Sequence, residues 1–500
     1  MKLGIIDIGS NSITLCIAEL YKEEGYFKIL DEEKETVRLG KDTLADGTLH
    51  HDRMQKALLT LKYYKSLCDT LGVTKIKAVA TEAVRKAPNQ EYFINLVLEM
   101  TGISIEILSG DEEAYFAYVS TVATFTLKDY FMMDIGGSSL EIGLVRNREL
   151  VAAVSLPLGA IPISECFNVS DPLTPETSLA LKRYLTTQFQ AIPWLASHQN
   201  LPLIGVGGSL RNISKIHKKM VDDPMTSNHH YTLSNETVKN LYGYISKMDL
   251  KQKRKLKGLS KDRADIFTGA LGAVLELMNV TNACELVISQ YGIRQGLIYD
   301  TLVDGNLSKL HPIDDSIQYF MNIGQLDAKH PHHVYHLSQK LLLQLEPLLV
   351  LTQNVSDVFK VAALLFNVGT SLTFENHYAH SFYMILNGGL TGLNQTDLLR
   401  SAYVAALSHK SQYKLPLAYK ALLSDAQIQE AQQLGIIIKL AKTLDRGLDH
   451  NVYDVSVTMT ENTVIVKTNA KKFPYLEINK VYQIADAFEK VFEKKLVVTN

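Results

Sequence analysis

Cysteine is scarce in this chain, with four in 500 residues: Cys16, Cys68, Cys166 and Cys284. None sits in a CxxC spacing, which excludes a disulfide framework and a cysteine-based zinc module. Their mostly apolar contexts read as reduced core residues of a cytoplasmic protein. Long hydrophobic runs are also missing. No window approaches the roughly 18 uncharged apolar residues of a membrane span, and the best stretch, 341–351, is broken by Gln344 and Glu346. Met1-Lys2-Leu3 leads straight to Asp7, leaving no room for the apolar core of a signal peptide. Net charge is nearly absent: 51 Lys and Arg against 53 Asp and Glu give −2. Without a global basic field, nucleic acid and membrane surfaces are excluded as partners, and any polyanion site must be local. Low-complexity segments and long linkers are lacking too. What remains is 46% hydrophobic content, enough for several cores and three or four domains.

Two short segments, 127 residues apart, repeat one pattern: Asp7-Ile8-Gly9-Ser10-Asn11-Ser12 and Asp134-Ile135-Gly136-Gly137-Ser138-Ser139. Each follows an apolar run and precedes another, reading as strand, acid, small-residue turn, strand. A turn without bulky side chains lets backbone N–H groups converge on an anion, and an aspartate at the strand end can hold a divalent cation. Two such loops can grip a phosphate chain from opposite sides.

Between the loops, strand-like and helix-like segments alternate. Helical spacing over 54–71 precedes a strand at 75–80, a helix near 90–100, a strand at 103–108 and a helix around 112–124. This alternation predicts an α/β sheet with helical crossovers. A second half repeats the hairpin at Asp134 and adds a strand-to-turn signal at 203–209, an apolar helix over 264–277 and a buried strand at 286–289. From about residue 306 the pattern becomes leucine-rich and helical, over 334–349, 356–365, 397–407 and 425–444. The tail alternates like a hairpin at 453–459 and 463–468, followed by a strand and a helix over 481–493. The expected domains are therefore 1–125, 126–305, 306–447 and 448–500.

Six segments, in order, carry a resemblance: 7–12; Ala80-Thr81-Glu82-Ala83-Val84-Arg85-Lys86-Ala87-Pro88-Asn89; Ser109-Gly110-Asp111-Glu112-Glu113-Ala114; 134–141; 205–211; and Gly292-Ile293-Arg294-Gln295-Gly296-Leu297. Over essentially its whole length the chain resembles the exopolyphosphatase/guanosine pentaphosphatase (Ppx/GppA) family, a branch of the actin, sugar-kinase and heat-shock ATPase superfamily. The resemblance implies two actin-like halves with a ribonuclease H-like core, then an all-α HD-like domain and a small α+β domain. It implies a Mg²⁺- or Mn²⁺-dependent phosphoanhydride hydrolase, with Glu113 as catalytic base and Glu112 beside it as the alternative. Arg85 is the implied phosphate-contacting arginine. Asp7, Asp134 and Glu141 are the implied metal acids. Ser10, Asn11, Ser12, Gly136, Gly137, Ser138, Ser139, Gly207, Gly208 and Ser209 are the implied phosphate cradle. Such chemistry requires a positioned water, a base, and positive or N–H groups around the transferring phosphoryl.

Two residues depart from the family pattern. Ser138 stands where a third glycine is usual, and a left-handed serine there would cost roughly 1–2 kcal/mol. Leu140 stands where threonine is usual and is expected to point into the core. In the helical domain, His330, His377, His380 and Asp445 match the HD-type positions, but Phe366-Asn367 replaces the defining His-Asp pair. That domain is expected to be structural or anion-binding, with His332, His333 and His336 marking a helix start rather than a metal site. Basic runs at 211–219 and 251–257 read either as solvated helix faces or as a polyanion route.

The leading expectation is a homodimeric exopolyphosphatase acting on inorganic polyphosphate. The alternatives are removal of the 5′ γ-phosphate of guanosine pentaphosphate (pppGpp) and a non-catalytic polyphosphate or alarmone sensor. A sugar kinase is disfavoured by the Glu-Glu-Ala and Thr-x-Ala-x-Arg segments.

Overall fold

A computed structural model describes residues 1–40 and 47–500. They form two compact units, residues 1–223 with 227–312, and residues 224–226 with 313–500. The expected divisions at 125 and 447 fall inside these units.

The first unit is built on a duplicated hairpin. β1 (Lys2–Ile8) and β2 (Ile13–Tyr21) run antiparallel, with Asp7 opposite Thr14. β3 (Tyr26–Glu35) extends this sheet on one side, and β4 (Lys75–Ala80) and β5 (Ile105–Ile107) extend it on the other, in the order β3-β2-β1-β4-β5. Leu3, Ile5, Ile6 and Ile8 are all fully buried, as a central strand covered on both faces requires. The second half repeats the plan. β6 (Tyr130–Ile135), β7 (Leu140–Arg146) and β8 (Glu149–Leu156) form the meander, with Asp134 opposite Glu141. β9 (Leu203–Val206) runs parallel to β6, as β4 does to β1. β10 (Tyr231–Ser234) and β11 (Glu285–Ile288) complete the order β10-β11-β9-β6-β7-β8.

The halves are tied by the helix Ile293–Val303. It leaves the second sheet but buries Leu297, Ile298 and Leu302 with Leu3, Ile5 and Phe116 of the first half. A Cβ on Gly296 would sit 1.9 Å from the carbonyl oxygen of Phe116, so only glycine allows this backbone contact with the helix Gly110–Val122.

The strand at 75–80 and the helices near 54, 90 and 112 stand close to their expected places. The sequence reading missed β3, β8, the helix Pro175–Gln190, and the helix Gly208–Met220, which starts inside the segment read as a turn. Leu140 is fully buried, as expected. Cys16 and Cys68 are core residues, but Cys166 and Cys284 are exposed, so the shared core assignment fails for two of the four. Among the described residues, no helix is long and apolar enough to cross a membrane.

The second unit packs the helices Lys329–Leu345, Val355–Leu365, His377–Asn387, Gln395–His409 and Asp425–Leu444 on one hydrophobic core. That core runs without interruption from Leu337, Leu364, Val404 and Leu434 into Val452, Val464, Val466 and Val498. The last four belong to a sheet of β12 (Val452–Met459), β13 (Thr463–Ala470) and β14 (Lys495–Thr499), in that order. The tail strand follows its helices instead of preceding them, and β14 lies parallel to β13. Parallel pairing needs a crossover, and the helices Tyr475–Val481 and Ala485–Phe492 supply it.

One ion network pins this core. Arg400, 1% exposed, bonds Asp397 at 2.6 Å, the Glu430 carboxylate, and the Gln353 carbonyl at 2.9 Å. Arg400→Ala would leave two buried carboxylates without their cation. Its expected cost is about 3–5 kcal/mol, read as a lower denaturation midpoint. A midpoint within experimental error of wild type would contradict the pinning role.

Candidate active site

The register of the two hairpins decides where the acids go. Asp7 and Asp134 each occupy the position before the last residue of a strand, immediately ahead of a tight turn. The turns are closed by Gly9 N–H to the Ser12 carbonyl at 3.1 Å and by Gly136 N–H to the Ser139 carbonyl at 3.0 Å. Glu141, directly opposite Asp134, is 1% exposed, and its Oε1 accepts a 2.8 Å bond from the Ser155 hydroxyl. Glu113 comes from the first turn of the helix Gly110–Val122 and is 3% exposed. A Cβ on Gly110 would lie 2.4 Å from the Cβ of Ser155, so this glycine lets the helix start press against β8 and bring Glu113 towards Glu141.

Asp7, Glu113, Asp134 and Glu141 thus meet in one cleft of about 440 Å³, which Glu32 and Glu33 also line, Glu32 lying 3.2 Å from Arg294 Nη1. Burial pushes Glu113 up to about 7, against the opposing pull of Arg85, with Asp134 and Asp7 adding repulsion. Burial pushes Asp134 up to about 6, Arg211 opposing and Asp7 adding. Asp7 is raised by burial, and Glu141 is raised by burial and by the nearby Glu113 and Asp134. Negative charge crowded into a poorly solvated cleft favours a bound cation.

The two loops approach so closely that small residues are required by contact. A Cβ on Gly137 would meet the Cβ of Ser10 at 2.9 Å, and one on Gly159 would meet the backbone of Ser138 at 2.3 Å. Ser138 does not adopt a positive φ, so the expected left-handed strain is not there. Its hydroxyl instead donates to Ser10 Oγ at 2.8 Å, joining the loops of the two halves. Gly207 is different. Its φ is +98°, and a Cβ there would lie 2.6 Å from Asp134 Oδ1. Glycine is needed at that position for both backbone and space.

Cations line the same cleft: Lys34, Arg263 and Arg294, which the sequence reading did not assign to the site, and Arg211 and Lys215, from the basic run read as a solvated face or a polyanion route. Burial drives Arg211 down to about 10, with Arg294 and Arg263 adding like-charge repulsion. Crowded guanidiniums call for an anion as crowded carboxylates call for a cation. Asn11 Nδ2, Thr14 Oγ1 and Asn212 Nδ2 also line the cleft, buried and without hydrogen-bond partners. Donors left open at a cationic wall fit a ligand rich in oxygen acceptors. Arg211 lay within the basic run at 211–219, but the sequence could not separate it from its neighbours. Lys218 is buried on the Ser227 carbonyl and Lys219 is exposed. In the second run Lys253 turns inward to the Val169 carbonyl at 2.7 Å, while Lys251, Arg254, Lys255 and Lys257 are exposed.

Ser10, Asn11, Ser12, Gly136, Gly137, Ser138, Ser139, Gly207 and Gly208 all line the cleft. Ser209 does not. It is 1% exposed and accepts a 3.2 Å bond from Arg263 Nη1, so it orients that arginine. Glu112 faces solvent and closes a capping box with Ser109, whose N–H it accepts at 2.7 Å. Arg85 bonds Glu113 Oε1 at 2.6 Å as well as the Glu82 carboxylate and the Leu108 carbonyl. This places Arg85 as the holder of Glu113, with its guanidinium already engaged by protein oxygens.

The raised carboxylates predict a pH signature. Groups with unfolded values of 3.8 and 4.5 bind more protons folded than unfolded. Stability present at low pH is therefore lost as pH rises through about 6 for Asp134 and about 7 for Glu113. In chelator-containing buffer the Tm is expected to fall across that window, and a divalent cation should flatten the fall. Asp134→Asn should reduce both the slope and the cation effect. A Tm independent of pH and of added cation would contradict the cluster's electrostatics.

Residues 17–304 match the family model described as the Ppx/GppA phosphatase family, and residues 314–484 match Ppx/GppA phosphatase, domain III. The chain is 28% identical to a bifunctional 3-dehydroquinate synthase/phosphatase of Fusobacterium nucleatum over 59% of its own length, and spans 46% of that protein. It is 26% identical to exopolyphosphatase 1 of Mycobacterium tuberculosis, covering 61% of this chain and 90% of that protein. Identity to the guanosine-5′-triphosphate,3′-diphosphate pyrophosphatase of Photobacterium profundum is 22%, over 92% of this chain and 90% of that protein. The crystal structure of the Aquifex aeolicus Ppx/GppA family member superposes with a TM-score of 0.55 at 25% identity, over 61% of this chain and 99% of that one. The duplicated sheets are therefore two actin-like halves, and the chain belongs to the Ppx/GppA phosphatase family.

Proposed function

We propose that this chain is an exopolyphosphatase, releasing terminal orthophosphate from inorganic polyphosphate. One observation carries the reading: three buried carboxylates and the half-buried Asp7 share one cleft with Lys34, Arg211, Lys215, Arg263 and Arg294. No aromatic side chain is among the described residues lining it, so it lacks the stacking surface that commonly receives a nucleobase. Similarity to the Photobacterium pyrophosphatase over both units supports pppGpp as the second substrate reading.

In this reading the terminal phosphoryl sits between the loops 9–12 and 136–139, among the hydroxyls of Ser12 and Ser139 and backbone N–H groups. Arg211, Arg263 and Arg294 hold the adjoining phosphates. Asp7, Asp134 and Glu141 are the residues to hold Mg²⁺ or Mn²⁺, since hard cations take carboxylate oxygens. When bound, the cation would neutralise phosphate charge. Arg85 occupies Glu113 Oε1, leaving Oε2 to take the proton of the attacking water. The water oxygen bonds to phosphorus as the bridging P–O bond breaks, and the shortened chain leaves with its negative oxygen against the arginines. Being raised to about 7, Glu113 suits a base that works near neutral pH.

Glu113→Gln is expected to lower kcat by about 10²–10⁴-fold with an unchanged Tm in cation-containing buffer. Near-wild-type turnover would remove Glu113 as the base. Phosphate release from long polyphosphate, tripolyphosphate and pppGpp, assayed in parallel with and without Mg²⁺, tests the substrate assignment. Preference for pppGpp would replace the exopolyphosphatase reading, and no release from any of the three would favour a sensor.

A further inference from the structure

The second unit holds a cluster that the cleft chemistry does not use. Asp445, at the end of the helix Asp425–Leu444, is 1% exposed, yet among the described residues no lysine or arginine pairs with it. Imidazoles surround it instead. His330 Nδ1 lies 2.7 Å from Oδ2, His450 Nδ1 3.4 Å from Oδ2, and His333 Nε2 4.0 Å from Oδ1. Ligand-type atoms of His333, Asp445 and His450 lie within 4.8 Å of one another.

A second observation points to a missing ligand. His450 Nδ1 is shut off from solvent and makes no hydrogen bond. Its residue is held at φ +54°, with its backbone N–H donating to Asp445 Oδ1 at 3.0 Å. A histidine in the left-handed region is uncommon, and here the turn wraps the carboxylate and aims the imidazole back at it. His450 Nδ1 and Asp445 Oδ2 lie 3.4 Å apart without a hydrogen bond between them. That separation matches two ligands on one tetrahedral ion, whose bonds of about 2.0–2.1 Å put neighbouring donor atoms roughly 3.3–3.4 Å apart.

We propose that His333, Asp445 and His450 bind a Zn²⁺-class cation that fastens β12 to the two helices carrying His333 and Asp445. Two imidazoles and one carboxylate suit zinc, whereas Mg²⁺ prefers oxygen ligands throughout. His333 Nε2 bonds the Val452 carbonyl at 2.8 Å in the cation-free protein. Binding exchanges that contact for the ion, with the ring proton moving to Nδ1. His330 grips Asp445 Oδ2 and acts as a positioning residue, as carboxylate–histidine pairs do at metal sites. A fourth position stays open for water. The set shares only Asp445 with the HD-type ligand positions. Phe366, at the lost His-Asp pair, is fully buried, with its ring 5.8 Å from that of His330 and 5.4 Å from that of His409. The His-Asp pair that an HD-type hydrolase centre would use is therefore absent from this site.

The test uses the full-length chain carrying Asp134→Asn, which weakens the acidic cleft as a competing metal site. After chelator treatment and dialysis, Co²⁺ is titrated as a coloured substitute for Zn²⁺. About one equivalent should develop the strong visible absorption of tetrahedral cobalt, and Zn²⁺ should displace it and raise the Tm of the second unit. Adding His333→Ala should weaken Co²⁺ binding at least about tenfold. Adding His450→Asn should do the same while tolerating the left-handed backbone, which keeps the fold intact for comparison. His330→Ala should weaken binding by about 10–100-fold without changing the shape of the spectrum. Absence of a tetrahedral cobalt spectrum in the parent, or its survival at full affinity in both His333→Ala and His450→Asn, would overturn the proposal.

Discussion

Four carboxylates held close together in a poorly solvated cleft are the constraint around which the first unit is organised. Asp7 and Asp134 arrive there because each ends a buried strand, and Glu141 because antiparallel register places it opposite Asp134. Such a cluster resists ionisation and repels itself, so its neighbours are chosen to contain it. Ser155 bonds Glu141, Arg85 clasps Glu113, and the absent side chain of Gly207 makes room for Asp134. The guanidiniums lining the cleft carry the complementary problem, since Arg294 and Arg263 add to burial in weakening Arg211's hold on its charge. In the proposed function, a cation and a polyanion bound together would relieve both sides at once, which is the electrostatic logic of phosphoryl transfer.

Close approach is the second theme. Glycine and serine in the two tight turns are there because the loops of the two halves touch, through Ser10 and Ser138 and past Gly137. Ser138 shows how a departure from a family pattern can be absorbed. Where a glycine would offer empty space, the serine makes a bond between lobes in an ordinary backbone conformation. The same economy of space lets the helix Ile293–Val303 cross back through Gly296 and tie the second half to the first.

In the second unit, the position where the HD-type resemblance expects a His-Asp pair is filled by packing. Phe366 fills it among the rings of His330 and His409, and Lys442 lies over the Phe366 ring. Nearby, Asp445 keeps a buried charge with imidazoles for company. The helices and the terminal sheet share one core, so a composition change near residue 448 marks a change of secondary structure and not a break in packing.

Strand, turn and acid were legible in the sequence because each is a local pattern: apolar runs, small-residue turns and an aspartate at the strand end. The six ordered motifs therefore sufficed for the fold class, the family, and most of the cleft's lining from Ser10 to Gly208. Roles that depend on which atoms meet were not legible. Glu112 and Glu113 are adjacent and chemically alike, yet one caps a helix in solvent while the other is buried against Arg85. Arg211 and Lys218 belong to one basic run, but one helix face turns towards the cleft and another towards the Ser227 carbonyl. Arg263, Arg294 and Lys34 reach the cleft from distant segments, and His333, Asp445 and His450 meet from two helices and a turn. Local sequence determined the elements and the small-residue turns. Only tertiary packing decided the partners, because burial, charge pairing and contact depend on the fold in three dimensions.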